Sequence, residues 1–146
     1  MPCGSLGLER FTFEDRGTAR YLSPRGSQLH SDWAPRDAPH WTVGRVENQL
    51  AWNIYYRVPA RGGEIMVWDR LWTIDVEAHK NSGRCGYSER TVVGATARAI
   101  GPRIGDLILF CPRNMHRVVP AAGAGARISV GSFIGLTARG HLAIWS

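Results

Sequence analysis

Two stretches far apart in the chain carry the side chains with the most chemistry to offer. His30-Ser31-Asp32 closes a strand-like run and leads into the proline-rich loop Trp33–Pro39. Side chains at i and i+2 share one face of a strand. With that face turned inward, an imidazole and a carboxylate converge on one point, as two of the three donors of the two-histidine, one-carboxylate face that holds ferrous iron. Such a pair alone is common in surface loops. The third donor lies downstream, where the apolar run Leu107–Phe110 turns at Pro112–Asn114 and the next strand begins with His116 beside Val118 and Val119. His30, Asp32 and His116 are therefore the candidate iron ligands and the candidate catalytic centre.

A second pair follows a Gly/Ala turn. Arg127 and Ser129 share a strand face by the same i, i+2 rule, in the run Arg127–Ile134. An unpaired buried guanidinium costs several kcal/mol, so an inward Arg127 needs an anion. That anion is either a protein carboxylate or a free one gripped bidentately; an outward-facing Arg127 is the remaining reading. Earlier, Trp52, Ile54 and Tyr56 share one strand phase, which on its own reads as simply an apolar barrel face, with Asn53 on the opposite phase unless a bulge intervenes.

Taken in order, these residues resemble the iron(II)- and 2-oxoglutarate-dependent dioxygenases. That family has an HxD pair and a distal His on iron, then an Arg or Lys that holds the distal carboxylate of 2-oxoglutarate. Ala51–Tyr56 followed by Gly62-Gly63-Glu64 looks like the family's second long strand and GGE turn, and Gly105-Asp106-Leu107 like its G-D-L strand start. The resemblance covers roughly residues 27–134. It implies a double-stranded β-helix, a jelly-roll or cupin-like barrel with few short helices. Fe(II), 2-oxoglutarate as cosubstrate and O2 are the implied cofactors, with Arg127, Ser129 and Tyr56 binding the cosubstrate. Tyr56 takes this role because prolyl-hydroxylase-like members set a tyrosine hydroxyl against that carboxylate.

The implied activity is hydroxylation of an unactivated C–H in a small molecule, an amino acid derivative or secondary metabolite, with release of succinate and CO2. Halogenating relatives replace the carboxylate ligand with a small residue; Asp32 retains it, which disfavours halogenation. Nucleic-acid demethylases carry a second arginine beyond the cosubstrate arginine, and Val130–Leu136 contain none. A peptidyl-residue, prolyl-type hydroxylase is one alternative, and a catalytically incomplete jelly-roll binding module another. A cupin-like oxygenase lacks its HxH cluster and following Glu here. Only twenty-nine residues precede His30, fewer than the bracing helices and strands of the family occupy. Truncation, a misplaced start and completion by a second subunit are all left open, and a homodimer is the expectation for the last.

The elements that must position these groups are mostly strands. Runs between Gly, Pro and Asn punctuation predict strands over Ser27–Asp32, Gln49–Val58, Glu64–Val67, Thr91–Ile100, Asp106–Phe110, His116–Val119 and Arg127–Ile134. Leu71–Lys80 is the one tolerable helical window, and one short helix is expected there. The intervening turns, Ala34–Pro39, Pro59–Gly63, Asn81–Gly86, Gly101–Gly105 and Ala121–Ala126, read as barrel rims. At 146 residues, 44% hydrophobic and 21% charged, the chain is expected to fold as one domain, 1–146.

A net charge of +6 comes from seventeen scattered arginines and one lysine, Lys80, with no basic ribbon of stacking aromatics, so no nucleic-acid partner is expected. No apolar run has membrane-spanning length and no secretory leader is visible, so the expected location is the cytoplasm, without membrane association. Cys3, Cys85 and Cys111 lack a CxxC spacing and are expected to be reduced thiols.

Overall fold

The computed structural model describes residues 8–12, 18–22, 26–82 and 86–146. Its two longest strands, β3 (Val46–Arg57) and β8 (Arg127–Thr137), pair antiparallel at the centre of a six-stranded sheet. The β-branched and aromatic content of both runs favours pleated backbone. Strand β6 (Leu107–Phe110) extends the sheet beyond β3. On the other side, β2 (Thr18–Leu22) and β9 (Leu142–Trp145) pair with the first and second halves of β8, and β1 (Leu8–Thr12) pairs with β2. A smaller sheet runs β5-β4-β7, from β4 (Ile65–Leu71), β5 (Ala97–Ile100) and β7 (Asn114–Val118). Mainly antiparallel β structure with few short helices is the architecture expected of a double-stranded β-helix.

The inner faces of the two sheets meet in a core of Tyr55 and Ile108 from the larger sheet and Ile65 from the smaller, with Val67, Val118 and Phe110 packed on it. Behind the smaller sheet a second core gathers Leu29, Trp68, Val76, Tyr87, Val92 and Met115. The glycines of the GGE turn are there for conformational reasons. Gly62 and Gly63 both adopt left-handed backbone (φ 72° and 79°), and a side chain on Gly62 would collide with the Pro120 carbonyl.

Several expected elements differ in detail. The window Leu71–Lys80 holds a 3-10 helix over Ile74–His79 with Val76 as its buried residue, whereas the apolar residues Leu71 and Ile74 are exposed. The expected strand Thr91–Ile100 begins as a 3-10 turn, Glu89–Val92, because Gly94 turns the chain with φ 79° before β5 starts. Ser27–Asp32 is extended but joins the smaller sheet through a single bridge. Strands β1, β2 and β9 and the short helix α1 (Ala34–Asp37) were not expected. Part of the Asn81–Gly86 turn, together with Cys3 and Cys85, lies outside the described residues; Cys111 is a free thiol. Among the described residues, no helix is long and apolar enough to cross a membrane.

Candidate metal and carboxylate site

The segment ending in Asp32 runs antiparallel to β7. His30 and His116 face one another as a hydrogen-bonded pair, each donating its N–H to the other's carbonyl at 2.9 and 2.8 Å. This brings the two imidazoles to 4.2 Å between ring centroids. Each ring also orients itself in the same way, since His30 Nδ1 lies 2.7 Å from the Gln28 carbonyl and His116 Nδ1 lies 2.8 Å from the Asn114 carbonyl. A carbonyl can only accept, so Nδ1 carries the proton in both rings and both Nε2 atoms present a lone pair.

Asp32 Oδ2 closes the cluster at 3.8 Å from His30 Nε2 and 3.6 Å from His116 Nε2, and one donor atom from each residue lies within 4.8 Å of the others. Desolvation in the cleft, followed by the neighbouring His116, lowers the His30 pKa below its ordinary 6.5, outweighing the opposite pull of Asp32. That keeps the ring neutral, the form in which it can ligate a metal. Two oriented imidazoles and one carboxylate could hold a divalent first-row ion.

Arg127 and Ser129 line the same cleft as the triad, with Asn53, Phe110 and Phe133 among its other walls. Arg127 is 4% exposed and Ser129 1%. Arg127 Nη2 donates to the Tyr55 hydroxyl at 2.9 Å, and Nη1 reaches Ser129 Oγ at 3.4 Å. Its Nε has no partner, and no carboxylate pairs with the guanidinium among the described residues. Burial lowers the Arg127 pKa, against the pull of Tyr55, and burial raises that of Tyr55. The guanidinium is thus an inward cation with hydroxyl neighbours and spare donors, suited to a free carboxylate.

Tyr56 requires correction. It is 61% exposed and points away from the cleft, while Tyr55 is fully buried against Arg127. The inward phase of β3 runs through Gln49, Ala51, Asn53 and Tyr55, so the apolar residues Trp52 and Ile54 share the outer phase with Tyr56. Asn53 reaches the cleft without the help of a bulge, because Gly131 stands opposite; a Cβ there would come within 2.7 Å of the Trp52 carbonyl. Tyr55 was missed because two adjacent tyrosines offer both phases, and its i+2 relation to Asn53 was the available signal.

The loop after the triad divides in two. His40 and Trp41 are exposed. Arg36 folds back, donating to the Ser31 carbonyl, pairing with Asp37 at 2.6 Å and lying 5.1 Å over the Trp72 ring. Trp68 is core, and Trp72 packs against that core.

A family model described as the carrier-protein-independent halogenase WelO5 matches residues 37–146, a span that includes His116, Arg127 and Ser129 but begins after His30 and Asp32. The chain is 35% identical over 112 residues to leucinostatins biosynthesis cluster protein S of Purpureocillium lilacinum, covering 73% of this chain and 46% of that protein. It is 32% identical over 102 residues to the L-gamma-glutamyl-L-propargylglycine hydroxylase of Streptantibioticus cattleyicolor, covering 70% of this chain and 37% of that one. It therefore spans less than half the length of these curated relatives. The crystal structure of an N-substituted L-amino acid dioxygenase from Burkholderia ambifaria in complex with alpha-KG superposes with a TM-score of 0.66 at 18% identity, over 96% of this chain and 58% of that one. A second crystal structure of an N-substituted L-amino acid dioxygenase from the same organism gives 0.63 at 19%, over 95% and 58%. At these identities the likeness establishes the fold.

Proposed function

This chain belongs to the WelO5-like family within the iron(II)- and 2-oxoglutarate-dependent dioxygenases, and from that premise we propose that it hydroxylates an unactivated C–H of a small molecule, an amino acid derivative or secondary metabolite. His30, Asp32 and His116 hold the iron, and Arg127 with Tyr55 and Ser129 holds the distal carboxylate of 2-oxoglutarate. When bound, this pair supplies, with O2, an oxidant strong enough for an aliphatic C–H, and releases succinate and CO2.

The observation that carries the reading is the inward, carboxylate-free guanidinium of Arg127 in the cleft that also holds the triad. Its cationic donors fit an anionic cosubstrate, and the Tyr55 hydroxyl both braces the guanidinium and stays un-ionised, since burial raises its pKa. Asp32 decides between outcomes within a family whose model bears a halogenase's name. Halogenating relatives carry a small residue where Asp32 stands, and with iron bound the Asp32 carboxylate would take the place a halide would need, so hydroxylation is proposed over halogenation. The outward position of Tyr56 removes its likeness to the prolyl-hydroxylase-like members, and with it a reason to favour a peptidyl substrate. A cytoplasmic location goes with this proposal, where Cys111 stays reduced.

The test is anaerobic reconstitution with Fe(II) and 2-oxoglutarate, followed by admission of O2. A visible metal-to-ligand band that needs both components, and slow iron-dependent succinate formation without substrate, are the expected results. A chain that binds neither component is a jelly-roll binding module instead.

A further inference from the structure

The three arms of the triad are held by different means. His30 and His116 are fixed to each other by reciprocal backbone bonds, and each ring is fixed by the carbonyl two residues before it. Asp32 stands where the chain leaves the sheet, and its own N–H to the Pro112 carbonyl, 2.9 Å, is the last backbone bond before an irregular turn. Rotation of the backbone there would sweep the carboxylate away from the two imidazoles.

The peptide groups on either side of Trp33 are nonetheless met. Trp33 N–H donates to Asp37 Oδ2 at 2.9 Å, and the Trp33 carbonyl accepts from the N–H groups of Arg36 and Asp37 at 3.0 and 2.9 Å. The two groups flanking Trp33, the Asp32 carbonyl and the Ala34 N–H, are taken by one side chain. Gln49 Oε1 accepts from Ala34 N at 3.0 Å, and Gln49 Nε2 lies 3.4 Å from the Asp32 carbonyl. Gln49 is 5% exposed on the inner face of β3. The turn's other supports come from the loop itself, from the β6–β7 turn and from the Tyr87 hydroxyl, which accepts from Arg36 Nη1 at 3.2 Å. Among the described residues, Gln49 is its one hydrogen-bonding tie to the larger sheet. A buried amide is costly unless its hydrogen bonds are made, and here it makes them to the backbone on both sides of Trp33.

We propose that Gln49 is a positioning residue for the carboxylate arm: by gripping the Asp32 carbonyl and the Ala34 N–H it sets the direction in which the Asp32 carboxylate leaves the backbone. The proposal rests on the reading that His30, Asp32 and His116 bind the metal. Groups that orient metal ligands typically change metal affinity by about 10–100-fold when removed.

Mn(II) and anaerobic Fe(II) affinities are to be measured for the wild-type chain, Gln49→Met, Gln49→Asn, Asp32→Ala and the Gln49→Met/Asp32→Ala double variant, with the melting temperature of each metal-free protein. Met keeps the length of Gln49 without its amide, and Asn keeps the amide but falls one methylene short of Ala34. If one of the two fails to fold, the other decides. The expected result is a loss of about tenfold or more in either Gln49 variant, with no further loss when Gln49→Met is added to Asp32→Ala. Unchanged affinity in a folded Gln49 variant, or the same tenfold loss persisting after Asp32 is gone, overturns the proposal. A wild-type chain that binds neither ion overturns the metal reading beneath it, a result distinct from either of those.

Discussion

The larger sheet carries its polar side chains mainly on its inner face and many large apolar ones on its outer face. The inner face of β3 and β8 presents Gln49, Asn53, Arg127 and Ser129, whereas the outer face presents Leu50, Trp52, Ile54, Ile134 and Leu136, continued on β6 by Leu107 and Leu109 and on β9 by Leu142 and Ile144. Ordinary burial logic places the apolar set inside. Here the interior lines a cleft in which His30, Asp32, Asn53, His116, Arg127 and Ser129 are set among apolar walls such as Phe110 and Phe133, and its far end, around Tyr55, Ile65 and Ile108, is apolar core. Polarity along a strand thus reports which face meets a ligand as much as which face meets water.

The contrast is sharpest at two neighbours on β6. Ile108 is inward and buried in the core, Leu109 outward and half exposed. Ile108→Lys buries an unpaired ammonium and is expected to cost roughly 3–5 kcal/mol or to prevent folding, whereas Leu109→Lys stays within about 0.5 kcal/mol and improves solubility. Urea titration of the two variants checks this. A large loss in Leu109→Lys would mean that the outer face is covered in solution.

Within the cleft, Arg127→Glu reverses the charge that meets the cosubstrate. Its 2-oxoglutarate affinity is expected to fall by at least about a hundredfold, roughly 2.8 kcal/mol, while Mn(II) binding to the triad persists. Calorimetry with each ligand separates the two. Smallest is the paired comparison of tyrosines. Tyr55→Phe removes one hydrogen bond to the guanidinium, worth about 1 kcal/mol or roughly fivefold in cosubstrate affinity, and Tyr56→Phe is expected to change nothing. Equal effects would dissolve the distinction between the faces at that end of β3.

The candidate site was legible where chemistry depends on residue type and order. HxD, a distal His, and Arg with Ser at i+2 needed no structure to stand out, and the fold places the triad and the Arg127 pair on one cleft. The fold class was legible through the recurrence of short β-rich runs between glycines and prolines. Less of the edge was readable, because β9 and the amino-terminal strands are short and carry no strong alternation. The Leu71–Lys80 window misled in its details because a 3-10 turn of six residues buries Val76 alone, and helix-spaced apolar residues there face water.

What the sequence determined by itself was the set of donors and the polarity of the chemistry: two imidazoles, one carboxylate and one guanidinium, in an order that follows from residue identity. What only the tertiary structure decided was phase and support. Slipping a strand's orientation by one residue exchanges its faces, and in Asn53-Ile54-Tyr55-Tyr56 the i+2 pair Asn53 and Tyr55 competes with the i+2 pair Ile54 and Tyr56 without deciding between them. That choice is made when β3 packs against the smaller sheet, with Gly131 opposite Asn53 and Ser129 opposite Tyr55. The same packing brings Gln49 beneath the loop of Asp32, from seventeen residues further along the chain.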